Sequence, residues 1–324
     1  MKLLDISDVH GDLPVLESVK NHAQKREDLE LIVCSGDFLG GCLSYEEGKK
    51  EGAAFGYIDD FVREHIQVNG GANFDSILKF ILTDERVPKE AKQAARDHIE
   101  LVKIFDKNAK EQYQKISEVF KQFPQQVLTV PGNWDSPHYF EFFEEQNIHN
   151  KTKEINGIKF AGYGGSNMVP VFLPYARHLS FDEETLNGFL TEEDPDVVIS
   201  HVAPFGLQDK GIQRDHEGSW AYLSYIGRET PVLCLVGHSH EGRGISKDKD
   251  VKTFVINPGN LGHYEGSPNS GTFYEIELRK EGIISAVPYK IVNKKIVSEE
   301  GYVDGINGKG KIEKEASSGV IALL

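Results

Sequence analysis

Seven short stretches of this chain are almost wholly apolar: residues 3–7, 29–35, 127–130, 159–163, 197–201, 232–237 and 253–257. Runs of Val, Ile and Leu without polar alternation predict strands covered on both faces. Between them the spacing turns helical. Asp12 stands where an N-cap belongs, for a helix reaching about Lys25 with Val15, Leu16 and Val19 facing inward. Ser136-Pro137 opens a short helix carrying Phe140, Phe142 and Phe143. Residues 272–292 read as further strands. Strand–loop–helix alternation of this kind predicts an α/β architecture.

One region breaks the rhythm. Within residues 40–123, the stretch 53–66 shows Phe55, Ile58, Phe61, Val62 and Ile66 at helical spacing. From Pro88 to Phe123 the apolar steps run through Ala91, Ala95, Ile99, Val102, Phe105, Ala109, Tyr113, Ile116 and Phe120. They describe one long amphipathic helix, or two broken near Asn108. Pairs such as Asp106–Lys110 and Glu111–Lys115 suit its exposed face. The chain is thus read as one domain over residues 1–297 with a helical insertion at 40–123 and a tail at 298–324 without an assigned role. Three uses of the insertion stay open: a flap on its own domain, a cap over a site, or a homodimerisation element. Residues 69–73, rich in Gly and Asn, are read as a loop and hinge.

Bulk properties narrow the function. The chain has 324 residues, 39% of them apolar, enough for a sizeable core. A formal net charge of −15 argues against sequence-independent grip on long nucleic acid. Three cysteines, two in strand-like runs, fit a reduced, cytoplasmic setting. No run approaches the roughly 20 apolar residues of a membrane span, and the N-terminal apolar run is too short for a signal peptide. Residues 305–311 imitate a phosphate-binding loop, but Ile312 stands where Ser or Thr is required.

The chemistry sits just after the strands. Asp8-Val9-His10, Gly36-Asp37, Gly132-Asn133-Trp134-Asp135, Ser200-His201-Val202 and Gly237-His238-Ser239-His240 each follow an apolar run. Together they bring carboxylates, imidazoles and one amide to the same end of a sheet. That is a ligand inventory for two divalent metals, and mixed N and O donors favour Mn²⁺, Fe or Zn²⁺ over Ca²⁺.

In this order the fragments resemble the calcineurin-like metallophosphoesterase superfamily, whose signature is D-x-H, G-D, G-N-H-D/E, a lone His and G-H-x-H. The resemblance spans residues 1–262, leaving out the insertion. It implies a four-layer αββα sandwich. It places Asp8, His10, Asp37 and His240 around one metal, and Asp37, Asn133, His201 and His238 around the other, with Asp37 bridging. The implied cofactor is a pair of divalent ions, Mn²⁺ first. The implied activity is hydrolysis of a small phosphate ester, a diester ahead of a monoester, by a metal-bridging hydroxide. Asp37, Asn133 and His201 then carry the catalysis.

One departure matters. Trp134 replaces the His that commonly protonates the leaving group, which favours activated leaving groups. His138, His178, His216 and His263 are candidate substitutes. Trp134 is expected to pack on the helix after Pro137 or to stack on an aromatic group. Asp135, relieved of that His, is expected to cap the same helix. Tyr163-Gly164-Gly165-Ser166-Asn167 resembles a rim turn, Arg177-His178 a phosphate contact, and Asn257-Pro258-Gly259-Asn260 a structural turn. Asp5, by its parity on the first strand, is left out of the site. The rival reading is a non-catalytic metal-site scaffold acting through protein contacts.

Overall fold

The computed structural model describes residues 1–299 and 303–304, except 66–73, 167, 169–172, 175–176, 212–213, 248–252 and 264–269. β1 (Lys2–Ile6) leads into α1 (Leu13–Ala23) and β2 (Leu31–Cys34). Three helices follow: α2 (Tyr45–His65), α3 (Phe74–Thr83) and α4 (Lys89–Phe120). Next come β3 (Gln126–Thr129), the one-turn α5 (Tyr139–Phe142), β4 (Lys151–Ile155) and β5 (Ile158–Tyr163). The chain then alternates through α6 (Glu183–Glu193), β6 (Val197–Ser200), α7 (Trp220–Glu229) and β7 (Leu233–Leu235). It ends in β8 (Gly244–Lys247), β9 (Phe254–Asn257), β10 (Thr272–Arg279), β11 (Gly282–Val292), β12 (Lys295–Ser298) and β13 (Val303–Asp304).

These strands form two sheets, ordered β12-β11-β10-β1-β2-β3 and β4-β5-β6-β7-β9-β8, with β13 added to β11. β1, β2 and β3 run parallel, as do β5, β6, β7 and β9, and antiparallel strands flank both groups. Neighbouring residues of one strand face different cores, which explains the unbroken apolar runs. Leu3, Leu31, Val33, Ile199, Leu235 and Ile256 fill the space between the sheets. Leu4, Ile32 and Cys34 meet Leu16 and Val19 of α1, while Val198, Cys234 and Val255 meet Leu186 of α6 and Tyr222 of α7. The layers are therefore α, β, β and α, as the resemblance implies. Asp12 caps α1, its carboxylate accepting from Val15 N at 3.2 Å.

β2 and β3 are parallel neighbours, so the chain must cross over between them, and α2 to α4 make that crossover. α4 is one unbroken helix, not two: Asn108 turns its amide sideways, donating to Cys42 O at 2.8 Å. Its first turns, at Ala91 and Ala95, pack with Ile58, Phe61, Leu78 and Ile81 in a small core of their own. Its later turns, from Phe105 to Phe120, belong to the core under the first sheet. α2 starts at Tyr45, earlier than its apolar spacing suggests, and α3 is an element that the sequence reading did not separate. The expected hinge at 69–73 and the 305–311 mimic lie outside the described residues.

Asp5 faces the inter-sheet core with the same parity as Leu3, pairs with Val33 and Tyr274, and is fully buried. Neither carboxylate oxygen has a protein hydrogen-bond partner, and burial pushes its pKa well above the ordinary value. The unfolded chain ionises this group near about pH 4 and the folded chain does not. Stability is therefore greatest below that pH and falls as pH rises towards the folded pKa. Asp5→Asn should match the parent near about pH 4 in denaturant titrations, then gain on it by up to about 1.4 kcal/mol per pH unit. Parallel stability–pH curves for the two proteins would refute this.

Candidate metal centre

The loops leaving β1, β2, β3, β6 and β7 converge at one pole of the sandwich. Asp8, His10, Asp37 and His238 adopt left-handed backbone conformations, with φ of 55°, 46°, 54° and 67°. Such turns swing a side chain off the strand axis towards the pole, at a conformational cost that the surrounding contacts must offset. Two glycines admit the approach. A Cβ on Gly36 (φ 110°) would lie 2.7 Å from Gly132 N and 2.8 Å from His201 Nδ1. One on Gly132 would lie 2.1 Å from Asp37 Oδ1.

All seven sequence-predicted ligands lie at this pole. Asp8 Oδ1 stands 3.2 Å from His240 Nε2 and 3.7 Å from His10 Nε2, and the two imidazole nitrogens are 3.3 Å apart. In the other half, Asn133 Oδ1 lies 2.9 Å from His201 Nε2 and 2.8 Å from His238 Nδ1. Asp37 Oδ1 stands 3.4 Å from His201 Nε2. Two groups of ligand atoms each fall within 4.8 Å of one another, Asp8-His10-His240 and Asp8-Asp37-His201. Backbone carbonyls orient the rings: His201 Nδ1 donates to Ser35 O at 2.7 Å and His10 Nδ1 to Leu39 O at 3.3 Å. In a neutral ring held this way, Nε2 is the nitrogen left to act as a ligand.

The electrostatics follow from burying so many ionisable groups together. Burial opposes the charge on Asp8, yet the hydrogen bond and charge of His240, with His201 and His10, hold its carboxyl well below the usual range. Burial lowers His238 to about 4 and also lowers His10. His201 is buried too, but Asp37 and Asp8 draw its pKa up to about 9. These donors suit divalent cations. The His10 and His240 Nε2 atoms face each other beside the Asp8 carboxylate, and His238 Nε2 is buried without a protein partner. A cation satisfies all of them at once.

Asp135 does not cap α5. Fully buried, it accepts from Gly132 N at 2.7 Å, from Phe38 N at 3.1 Å and from the Tyr113 hydroxyl at 2.9 Å. Burial and the Asp37 charge raise its pKa to about 7. Trp134 donates its backbone N–H to Asp37 Oδ1 at 2.7 Å, and its ring meets His10 edge-on at 5.1 Å rather than simply packing on α5. The four substitute histidines are otherwise occupied or buried. His138 is held by Asp106 (3.1 Å) and Glu141 (3.0 Å), His216 by Asp209 (2.9 Å) and His263 by Asp12 (2.7 Å). Burial lowers the His178 pKa. Arg177 forms a two-pronged pair with Asp106, both contacts 2.7 Å. Asn257 plays a structural part, its amide donating to Ser239 O (2.9 Å) and Gly237 O (3.3 Å) under the His238–His240 turn. At the rim, Gly165 N donates to Pro131 O at 2.8 Å, and Asn167 lies outside the described residues.

Tyr113 and Asp135 touch no ligand atom; they fix the loops that carry Asp37 and Asn133. Tyr113→Phe leaves Asp135 one donor short inside the protein. Metal affinity should fall about 10- to 100-fold in chelator competition. An unchanged affinity would sink the positioning role.

No family model matches the chain. An uncharacterized protein of Methanocaldococcus jannaschii is 32% identical over 144 residues, 41% of this chain and 63% of that relative. The chain thus spans less than two thirds of that relative's length. One solved crystal structure aligns with a TM-score of 0.52 at 16% identity, covering 92% of this chain and 98% of the other. The TT1561 protein of Thermus thermophilus aligns at 0.46 and 14% identity, covering 92% of this chain and 97% of its own. No helix among the described residues is long and apolar enough to cross a membrane. With two packed sheets, flanking helices and the loops converging at one pole, the chain is a four-layer αββα sandwich, the fold that its resemblance to the metallophosphoesterases implies.

Proposed function

We propose that the protein is a dinuclear metal-dependent phosphoesterase, acting on small phosphodiesters ahead of monoesters, with Mn²⁺, Fe or Zn²⁺ as its ions. The observation that carries this reading is the meeting of two ligand groups that share Asp8, with Asn133 and His238 closing the set. The resemblance assigns Asp8, His10, Asp37 and His240 to one ion and Asp37, Asn133, His201 and His238 to the other, while Asp8 is the carboxylate common to the two groups seen here. Bound divalent ions supply Lewis acidity and bring the pKa of water towards neutrality. The chain supplies position. Asn133 and His201 would hold the phosphoryl group, and the Ser35 carbonyl fixes the His201 ring. Trp134 covers His10 at the place where the resemblance implies a proton donor. A scaffold role has no need of all seven ligand side chains at one pole.

Hydrolysis of bis-p-nitrophenyl phosphate should vanish on chelation, return with Mn²⁺ and be lost in Asp37→Asn. Absence of turnover with Mn²⁺, Fe²⁺, Zn²⁺ or Ni²⁺, despite two ions bound per chain, would favour the scaffold.

The missing donor makes a second expectation. Diesters with alkyl leaving groups should react about 10²- to 10⁴-fold more slowly than aryl diesters beyond their intrinsic difference, the usual worth of a general acid. A shallow dependence of rate on leaving-group pKa would reveal an acid elsewhere in the site.

A further inference from the structure

Away from the metal centre, α1 and the β11–β12 turn border a cavity of about 650 Å³. The volume suits a small metabolite. Its border is cationic in a chain whose formal charge is −15. Lys25 follows the end of α1, while Lys294 and Lys295 come from the turn, and all three are exposed. Among the described residues no carboxylate pairs with any of them. Arg26, next in sequence to Lys25, is by contrast fully engaged by Asp28 (2.8 Å) and Glu275 (2.6 Å).

Two details show a formed site rather than a chance of surface lysines. Asn293 and Lys294 both have left-handed φ, 50° and 62°, the backbone of a two-residue hairpin turn that Asn-Gly fits best. A lysine occupies the glycine position, so this turn brings a cation to the cavity's border where a glycine would bring none. Behind the lip, the His22 ring packs against Phe273 and Tyr289 at 6.0 and 5.8 Å, and its Nε2 is buried without a protein partner. Glu17 and Asn21, which also line the cavity, share one face of α1 at a spacing of four. A carboxylate beside an amide repels a second phosphate and accepts hydroxyls, as acidic residues do with ribose.

We propose that this cavity binds a phosphorylated polyol, with phosphate against Lys25, Lys294 and Lys295 and hydroxyls against Glu17 and Asn21. The proposal stands apart from the hydrolytic reading, because none of these residues belongs to the metal centre. The source of the headgroup is soluble or lipid, and both present the same chemistry.

The test is calorimetry on the metal-loaded full chain with fructose 6-phosphate, with tripolyphosphate and unphosphorylated fructose as controls. Saturable binding of fructose 6-phosphate is expected. It should weaken at least about tenfold in Lys294→Glu/Lys295→Glu and survive in Asp37→Asn. Glu17→Ala should weaken the sugar phosphate and spare tripolyphosphate. Thermal melting checks that each variant is folded. A parallel arm uses phosphatidylcholine vesicles containing phosphatidylinositol monophosphate: sedimentation with them, sensitive to the lysine variant, assigns the lipid source. No saturable binding in either arm overturns the proposal. So does binding that Asp37→Asn abolishes and the lysine variant keeps, which would place the ligand at the metal centre.

Discussion

Three carboxylates, Asp8, Asp37 and Asp135, are buried together at one pole of the sandwich, each no more than 1% exposed. Like charges in a low-dielectric setting repel strongly and must be compensated. Here the compensation is local: imidazoles against Asp8 and Asp37, and two backbone amides with a tyrosine hydroxyl against Asp135. The turns, the glycines and the parallel strand ends can all be read as means to that concentration of charge. Remove the requirement and nothing in the hydrophobic core calls for loops of this shape.

Asp135 ties that pole to the rest of the molecule. It joins the loop after β2 to the loop after β3, and through Tyr113 it joins both to α4. The same helix carries the small core formed with α2 and α3 at its other end. The crossover between β2 and β3 is thus part of the scaffold of the centre, not an ornament beside it. The Arg177–Asp106 pair adds a second tie from α4 to the segment after β5.

Much of this was legible in the sequence, and for a physical reason. Strands covered on both faces are apolar throughout, so a polar residue at their ends stands out. Asp8, His10, Asp37, Asn133, His201, His238 and His240 all announced themselves that way, and the structure places them together. Tyr113 did not, because one polar atom on an aromatic ring is invisible within an amphipathic stripe of core positions. Asp135 was seen, but its partners lie at Phe38 and Tyr113, beyond the reach of local capping rules. The continuity of α4 through Asn108 turned on a tertiary hydrogen bond to Cys42, which no spacing encodes. The parity of Asp5 gave its direction correctly without revealing that it would lack a protein partner.

The left-handed backbone at Asp8, His10, Asp37 and His238 has a consequence for how this pole can evolve. Among residues with a side chain, Asp, Asn and His tolerate that conformation best, and glycine tolerates it freely. Ligand chemistry and backbone geometry therefore filter the same positions independently and admit nearly the same residues. A lineage with no metal at this pole would still be steered away from valine or isoleucine there. Its substitutions would be channelled towards asparagine and glycine, and the outline of the centre would outlive its chemistry.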